Sequence, residues 1–285
     1  MKIDLHMHSS ASDGEMSPSE LVRFAAQECG VQVLALTDHD TVGGIDEAAR
    51  EAQRIGVKFI SGIEMSSSWE SVSIHVVGLG VDPHCTLFLD AMKRLCRMRD
   101  ERAREIGDKL AALGIPGMYE QALRFAGSEG NIIGRPHFAQ ALFEGGYVPT
   151  VQLAFDRYLG RGKPAYVISE WGTVPESVHL IERAGGIAVL AHPGRYFRLN
   201  ESSLEDLVRT FVEAGGRGIE VVSGSQPSAF EERCVTWARK YNLLASTGSD
   251  FHGLHAHRPR PGEQGRLPEH LPTVLDVLKG FEDGC

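Results

Sequence analysis

Short apolar runs alternate with amphipathic stretches that end in glycine. The runs KIDLHMH (2–8), VQVLALTDHD (31–40), VKFISGIEM (57–65), VSIHVVGLG (72–80), GIAVLAH (186–192), GIEVVS (218–223) and LLASTGSD (243–250) have the length and β-branched content of buried strands. Helical patterns fall between many of them. SPSELVRFAAQECG (17–30) offers a Ser-Pro start, Ser19 as a cap candidate and a glycine stop. GIDEAAREAQRIG (44–56) and SLEDLVRTFVEAGG (203–216) end the same way. Strand, helix and glycine-terminated return predict an α/β fold with much parallel sheet, open or barrel-like.

Between about 84 and 180 the texture changes. LFLDAMKRLCRMRDERAREIGDKLAALG (87–114) places Leu89, Met92, Cys96, Ala103, Ile106, Leu110 and Leu113 along one long amphipathic helix. YEQALRFAG, RPHFAQALFEGG and VQLAFDRYLG add more helix, broken by Gly and Pro. This stretch reads as a helical insertion, giving the division 1–83, 84–180 and 181–285, with the core in two parts around it. From His257 to Pro268 the chain reads as a loop before a last short helix, TVLDVLKGF. The basic stretch KRLCRMRDERAR (93–104) is interrupted by Asp100 and Glu101 and reads as a solvated helix face.

Composition narrows the classes. At 285 residues the chain fits one large domain or a domain with an insertion. A hydrophobic share of 42%, a charged share of 24% and a net charge of −9 describe an ordinary globular chain, not one that coats nucleic acid electrostatically. The five cysteines, Cys29, Cys85, Cys96, Cys234 and Cys285, form no CxxC pair and are odd in number. That argues against a disulfide framework or a thiolate zinc site and for a reducing cytosol. With no apolar run long enough to span a membrane and no signal core, a cytoplasmic location is expected.

Candidate chemistry gathers at the ends of the strands. In the first run Asp4, His6 and His8 alternate, so a strand puts them on one face, opposite Ile3, Leu5 and Met7. Such a face is costly unless something pairs with it, and a metal is the obvious partner; a solvated edge strand is the rival reading. Asp13 follows five residues later. The second run ends at Asp38 and His39, the third at Glu64, and later ones at His192, Asp250 and His252. In parallel α/β folds that end of the strands faces the active site. If MSSSWESVS turns a hairpin centred between 69 and 70, Glu64 and His75 lie directly opposite and project from one face. His, Asp and Glu without thiolate suit Mn²⁺, Zn²⁺ or Fe²⁺. So many ligands exceed what one ion takes, so two or three ions with bridging carboxylates are expected. A two-metal clamp on a bridging hydroxide suits in-line attack at phosphorus.

At DLHMHSSASDG, LTDHD, GIEMSSSW with IHVVGLG, AHPG and GSDFHG the sequence resembles the PHP (polymerase and histidinol phosphatase) family. The motifs run in the family's order and cover the chain apart from the insertion. The resemblance implies a distorted (β/α)7 barrel with a helical insertion and a metal cluster at its mouth. It also implies a trinuclear assignment: His6, His8, Glu64 and Asp250 on one ion; Glu64, His75 and His192 on a second; Asp13, His39 and His252 on a third. Mn²⁺ is the expected ion, with Fe²⁺ and Zn²⁺ as alternatives. GRPHFAQALFEGGYV and YLGRGKPAYV look like segments of the group that includes 3′,5′-nucleotide bisphosphate phosphatases and 5′→3′ exoribonucleases. Arg135 and Lys163, fixed cations near Gly/Pro turns, suit phosphate oxygens, and His137 adds a hydrogen bond. Arg195 and Arg198, just after His192, are placed to reach the cluster mouth.

The expected activity is therefore hydrolysis of the 3′-phosphate of a nucleoside 3′,5′-bisphosphate, giving a nucleoside 5′-monophosphate and phosphate. The alternatives are 5′→3′ exonuclease action on short 5′-phosphorylated RNA, a small-molecule phosphatase of the histidinol phosphate type, and a metal-inert module kept for partner binding. The expected partner is a nucleotide substrate, with short RNA as the alternative, and no membrane or obligate protein partner.

Overall fold

A computed structural model describes residues 1–127, 132–254 and 258–278. The elements run in chain order: β1 (Ile3–Asp4), α1 (Pro18–Arg23), β2 (Val33–Leu36), α2 (Ile45–Ile55), β3 (Lys58–Trp69), β4 (Val72–Leu79), α3 (Thr86–Ala112), α4 (Met118–Ala126), α5 (Arg135–Glu144), α6 (Val151–Ala154), β5 (Gly172–Thr173), α7 (Val174–Arg183), β6 (Ile187–Leu190), α8 (Glu201–Glu213), β7 (Gly218–Ser223), α9 (Glu231–Tyr241) and β8 (Leu244–Gly248). One sheet carries them in the order β1-β2-β3-β4-β6-β7-β8, with β5 beside β3. Pairing is parallel except for β4, which is antiparallel to both β3 and β6. Leu5 N–H donates to Thr247 C=O, and Met7 bridges Phe251, so the last strand returns to the first. The mixed sheet is thus a nearly closed barrel with helices around it.

Period-two alternation explains both faces of this barrel. Val33 and Ala35, Ile60, Val77 and Leu79, and Ile187 and Val189 share one apolar cluster with Leu5 and Val274. Their neighbours Leu34 and Leu36, Ile63, Val76, and Ala188 and Leu190 belong to the larger cluster under the helices. Strands buried on both faces read as unbroken apolar runs, which is why β2 is simply Val-Leu-Ala-Leu. Each fully buried aliphatic side chain of this size contributes about 1.5–3 kcal/mol. The inward parity also selects the chemistry. Counting from Ile60 along β3 by twos reaches Glu64, and from Val77 along β4 reaches His75. The inward face is therefore apolar at one end of the barrel and polar at the other.

Several local expectations shift. Helix α1 is capped by Ser17 rather than Ser19: Pro18 takes the first helical position, and Ser17 and Glu20 close a reciprocal capping box. The first strand stops at Asp4, so the alternation of Asp4, His6 and His8 does not make one face. Asp4 turns instead to the N–H groups of Ser249 and Gly262. β3 continues five residues beyond Glu64, to Trp69. The hairpin turns at Glu70 and Ser71, both at positive φ, so its centre lies between 70 and 71. Ser66 is therefore opposite His75, and Glu64 opposite Val77. Glu64 and His75 are diagonal, not opposite, yet share the inward face because the offset is two residues. Within the described part of the expected last helix, Val274–Asp276 forms a 3₁₀ turn. Lys279 to Phe281 of that expected helix, His257 at the start of the expected loop, and Cys285 lie outside the described residues.

Helix α3 spans two cores. Phe88, Met92 and Leu95 pack under the barrel. Ala103, Ile106 and Leu110 pack with Met118, Ala122, Phe138, Leu142 and Leu159 in a separate helical cluster. α7 returns to the barrel core through Val174, Val178 and Ile181.

Candidate metal centre

Each side chain of the cluster is held by the loop or strand that presents it. Asp38, past the end of β2, accepts from Ser9 N–H and from the Ser9 and Ser12 hydroxyls. That fixes the loop after His8 and with it Asp13. Burial pushes the Asp38 carboxyl up to about 6 despite those donors. Asp40, at positive φ, accepts from Ser66 N–H and from Arg99. His192 and Asp250 also sit at positive φ. Non-glycine residues in that region are uncommon, and three of them flanking one site mark stored local strain.

Glu64 is the hub. Its Oε1 lies 2.8 Å from His75 Nδ1, 2.9 Å from His192 Nε2 and 3.3 Å from His6 Nε2. Its Oε2 lies 2.8 Å from His39 Nδ1 and 3.3 Å from His8 Nε2. Asp250 Oδ1 is 3.2 Å from His8 Nε2 and 3.6 Å from His6 Nε2. Asp13 reaches His252 Nε2 at 3.5 Å, His8 Nδ1 at 3.9 Å and His39 Nε2 at 4.0 Å. The possible ligand atoms fall into three groups: His6, His8, Glu64 and Asp250; His8, Asp13, His39 and His252; and His39, Glu64 and His75. His192 meets the hub through Glu64.

These groups fit divalent cations on a physical test. Five imidazole nitrogens crowd two oxygens of one buried carboxylate. His6 Nε2, both nitrogens of His8 and His192 Nδ1 are buried without a hydrogen-bond partner, and the 2.8 Å approach of His39 Nδ1 to Glu64 Oε2 lacks hydrogen-bond geometry. Buried polar atoms are normally satisfied, so such a concentration of orphans calls for another partner. Cations bridging Glu64 would satisfy lone pairs that protons on five crowded rings cannot. The electrostatics agree. Burial alone would lower His39, but the Glu64 and Asp13 carboxylates win and hold it at about 9. Burial dominates at His8, with His252 beside it, and pulls it down to about 3.

Cationic side chains flank the cluster on two sides. Arg195 Nη1 lies 3.1 Å and Arg258 Nη2 3.4 Å from Asp250 Oδ2. On the other side, Arg99, Arg102 and Arg135 line a narrow cleft that also contains Asp13, His39 and His75. Arg99 is buried, anchored by Asp40 and Ser66 Oγ, and stacks on Trp171 with Arg102. Arg102 Nε is buried with no hydrogen-bond partner. Burial, with Arg135 and Arg99 alongside, pulls its guanidinium down to about 9. A cation in that condition is stabilised by an anion.

The basic stretch on α3 is thus not wholly a solvated face. Arg99 and Arg102 fall on the apolar stripe with Leu95, Ala103 and Ile106, a position on the helix that could have singled them out. Other substrate-binding candidates separate. Arg135 lines the cleft and stacks on Tyr166, and Arg195 reaches the cluster. His137 is buried, and its Nδ1 accepts from Gly134 N–H at the start of α5, so its placement is that of a helix cap. Lys163 is exposed and does not line the cleft, and Arg198 stacks on exposed Phe197. Glu220, Arg258, Arg99 and Arg102 were not among the candidates read from the sequence.

Residues 4–123 match the PHP domain model. The chain is 42% identical to a 3′,5′-nucleoside bisphosphate phosphatase of Chromobacterium violaceum, over 97% of this chain and 94% of that protein. It is 44% identical to a 5′-3′ exoribonuclease of Haemophilus influenzae, over 88% of this chain and 90% of that protein. Among solved structures, an amidohydrolase from Chromobacterium violaceum with bound sulfate and no metal superposes at a TM-score of 0.92, with 40% identity, covering 99% of this chain and 97% of that one. A Bifidobacterium adolescentis protein assigned as a metal-dependent phosphoesterase gives 0.81 at 28% identity, over 95% and 92%. Barrel, ligand groups and relatives agree, and the chain belongs to the PHP family of metal-dependent phosphoesterases.

Proposed function

We propose that the protein removes the 3′-phosphate of nucleoside 3′,5′-bisphosphates, giving a nucleoside 5′-monophosphate and inorganic phosphate. The observation that carries this reading is the pair of cationic flanks on one His/carboxylate cluster. A substrate with two phosphates needs the scissile one at the cluster and the other gripped nearby. Arg195 and Arg258 lie beside Asp250, suited to the phosphate at the cluster. Arg102 and Arg135, stiffened by Trp171, Tyr166 and the Asp40–Arg99 pair, suit the second phosphate. Planar guanidinium groups bind phosphate oxygens in pairs, and a buried cleft strengthens each contact. The name of the Chromobacterium violaceum relative supports the same substrate class.

His6, His8, Asp13, His39, Glu64, His75, His192, Asp250 and His252 are the residues that would hold two or three divalent ions. Mn²⁺ is the ion proposed, with Fe²⁺ and Zn²⁺ compatible with the same donors. When bound, such ions acidify water and neutralise charge on the phosphoryl group. Hydrolysis breaks the bond between phosphorus and the 3′ oxygen, joins water oxygen to phosphorus and returns a proton to the 3′ oxygen. The arginines contribute by orienting the substrate and by offsetting charge on oxygens that do not react. No helix among the described residues is long and apolar enough to cross a membrane, and a cytoplasmic site of action is part of the proposal.

A second reading, 5′→3′ exoribonuclease action, is favoured by the name of the Haemophilus influenzae relative. The same cluster would act on a diester, with the terminal 5′-phosphate in the Arg102 cleft. Mn²⁺-loaded protein given adenosine 3′,5′-bisphosphate in one tube and a short 5′-phosphorylated RNA in another separates the two. 5′-AMP and phosphate from the first establish the 3′-bisphosphatase. Mononucleotides from the second establish exonuclease action, alone or beside it. No product in either, with metal bound, overturns the nucleotide reading.

A further inference from the structure

β7 brings one more carboxylate to the inward face of the barrel. Glu220 is buried and belongs to none of the three ligand groups. Along β7, Ile219 and Val221 face the helices, which turns Glu220 inward, and the register with β8 slips between Glu220 and Val222. Such a bulge re-aims a side chain at the rim of a barrel. Both oxygens of Glu220 are engaged by protein. Oε1 lies 2.6 Å from His6 Nδ1, and Oε2 accepts the backbone N–H of His192 at 2.7 Å. A carboxylate used this way has little to offer an ion of its own. It touches two residues of the metal centre, one through its ring and the other through its main chain.

We propose that Glu220 is a positioning residue that links His6 and His192 and sets the affinity of the centre for metal. This inference rests on the metal-centre reading above. His6 has two ring nitrogens, and only one can face the cluster. With Glu220 against Nδ1, the proton sits on Nδ1 and the Nε2 lone pair points at Glu64 and Asp250, 3.3 and 3.6 Å away. Without that acceptor the imidazole can place its proton on Nε2, where it blocks a ligand. The second contact acts on the backbone. His192 has φ +27, a conformation that L residues avoid, and it must be held there for its Nε2 to reach Glu64 at 2.9 Å. Glu220 Oε2 holds its N–H. One residue thereby sets ring orientation at one ligand, 214 positions away, and main-chain placement at another, 28 positions away.

Glu220→Gln is the sharpest variant because it keeps size while replacing one acceptor with a donor. The Gln amide can accept from His6 Nδ1–H or from His192 N–H, not both. Metal affinity, measured by chelator competition on metal-free protein reloaded with Mn²⁺, is expected to fall about 10–100-fold. Circular dichroism of the metal-free protein should stay close to wild type, with a modest fall in Tm from the one buried N–H left unpaired. Glu220→Asp, which keeps the charge, should recover part of the affinity. A purely structural role would lower Tm and leave the affinity of the folded fraction unchanged. An independent reading needs no variant at 220: long-range ¹H–¹⁵N correlation on zinc-loaded wild-type protein, assigned with His6→Asn, should show His6 protonated at Nδ1. Wild-type affinity in a folded Glu220→Gln protein, or a His6 proton on Nε2, overturns the proposal. If wild-type protein takes up no metal, the metal-centre reading fails first, and the two failures are distinguishable.

Discussion

Glu64 shows most directly how residue type becomes chemistry. Two carboxylate oxygens face five imidazole nitrogens within 3.3 Å, an arrangement that protons alone do not satisfy. Replacing His192 or Asp250 with alanine is expected to lower kcat by at least about 10³-fold, since each removes a donor from a shared centre; Arg135→Ala should cost less, about 10–100-fold. Steady-state kinetics on the bisphosphate, with metal content measured in parallel, checks the order. Arg102→Met should raise KM for adenosine 3′,5′-bisphosphate about tenfold or more, the size of one lost charged hydrogen bond, with kcat changed less. An equal loss in kcat with KM unchanged would place Arg102 at the reacting phosphate instead. The pH dependence of metal uptake follows from His39. Its imidazole in the metal-free cluster is held at about 9, so below that pH a proton must leave before a metal binds. Affinity should therefore rise with pH between 6 and 8, with proton release, by about tenfold per unit for each proton displaced. Calorimetry in buffers of different ionisation enthalpy measures that release.

At the scale of elements, most of the barrel was legible. β2 and β6 are short apolar runs, and β7 is nearly one, because both of their faces are buried, and such runs are visible without any contact information. Ligand types at strand ends were legible for the same reason: polar residues that interrupt an apolar run stand out. What failed was register. The hairpin between β3 and β4 turns one residue later than symmetry suggested, because Glu70 and Ser71 adopt positive φ without the Asn-Gly signature that normally marks such a turn. α3 was legible as a helix but not as a boundary between two cores, since its apolar stripe runs on from Leu95 to Ala103 and Ile106 and only tertiary neighbours divide it. Glu220 interrupts its apolar run in the same way but lies in the middle of β7 rather than at its end, where ligands were expected. Close packing adds a prediction here. A Cβ at Gly248, the last residue of β8, would come within 2.1 Å of His6 Cβ and 2.8 Å of its backbone N. Gly248→Ala should displace His6, lowering both Tm and metal content, whereas alanine at Gly30, whose Cβ would meet no atom within 4 Å, leaves metal content unchanged.

For the whole molecule, the barrel and the helical cluster meet at the site. The barrel contributes the eight residues of the three ligand groups and His192 beside Glu64, and helices α3 and α5 bring Arg99, Arg102 and Arg135 across its mouth. A net charge of −9 sits poorly with anionic substrates in general, so recognition is expected to be local, through these few cations and the bound ions. Catalysis therefore rests on a shared metal centre that hydrolyses a phosphate ester. The most direct measurement is to strip the protein with a chelator, add Mn²⁺ stepwise, and follow bound metal and phosphate release from adenosine 3′,5′-bisphosphate in the same samples. A shared metal centre requires no phosphate release without metal and a rise that completes at two or three ions per chain, absent in His192→Ala. Full activity in the stripped protein, or activity complete at a single ion and intact in His192→Ala, would contradict it.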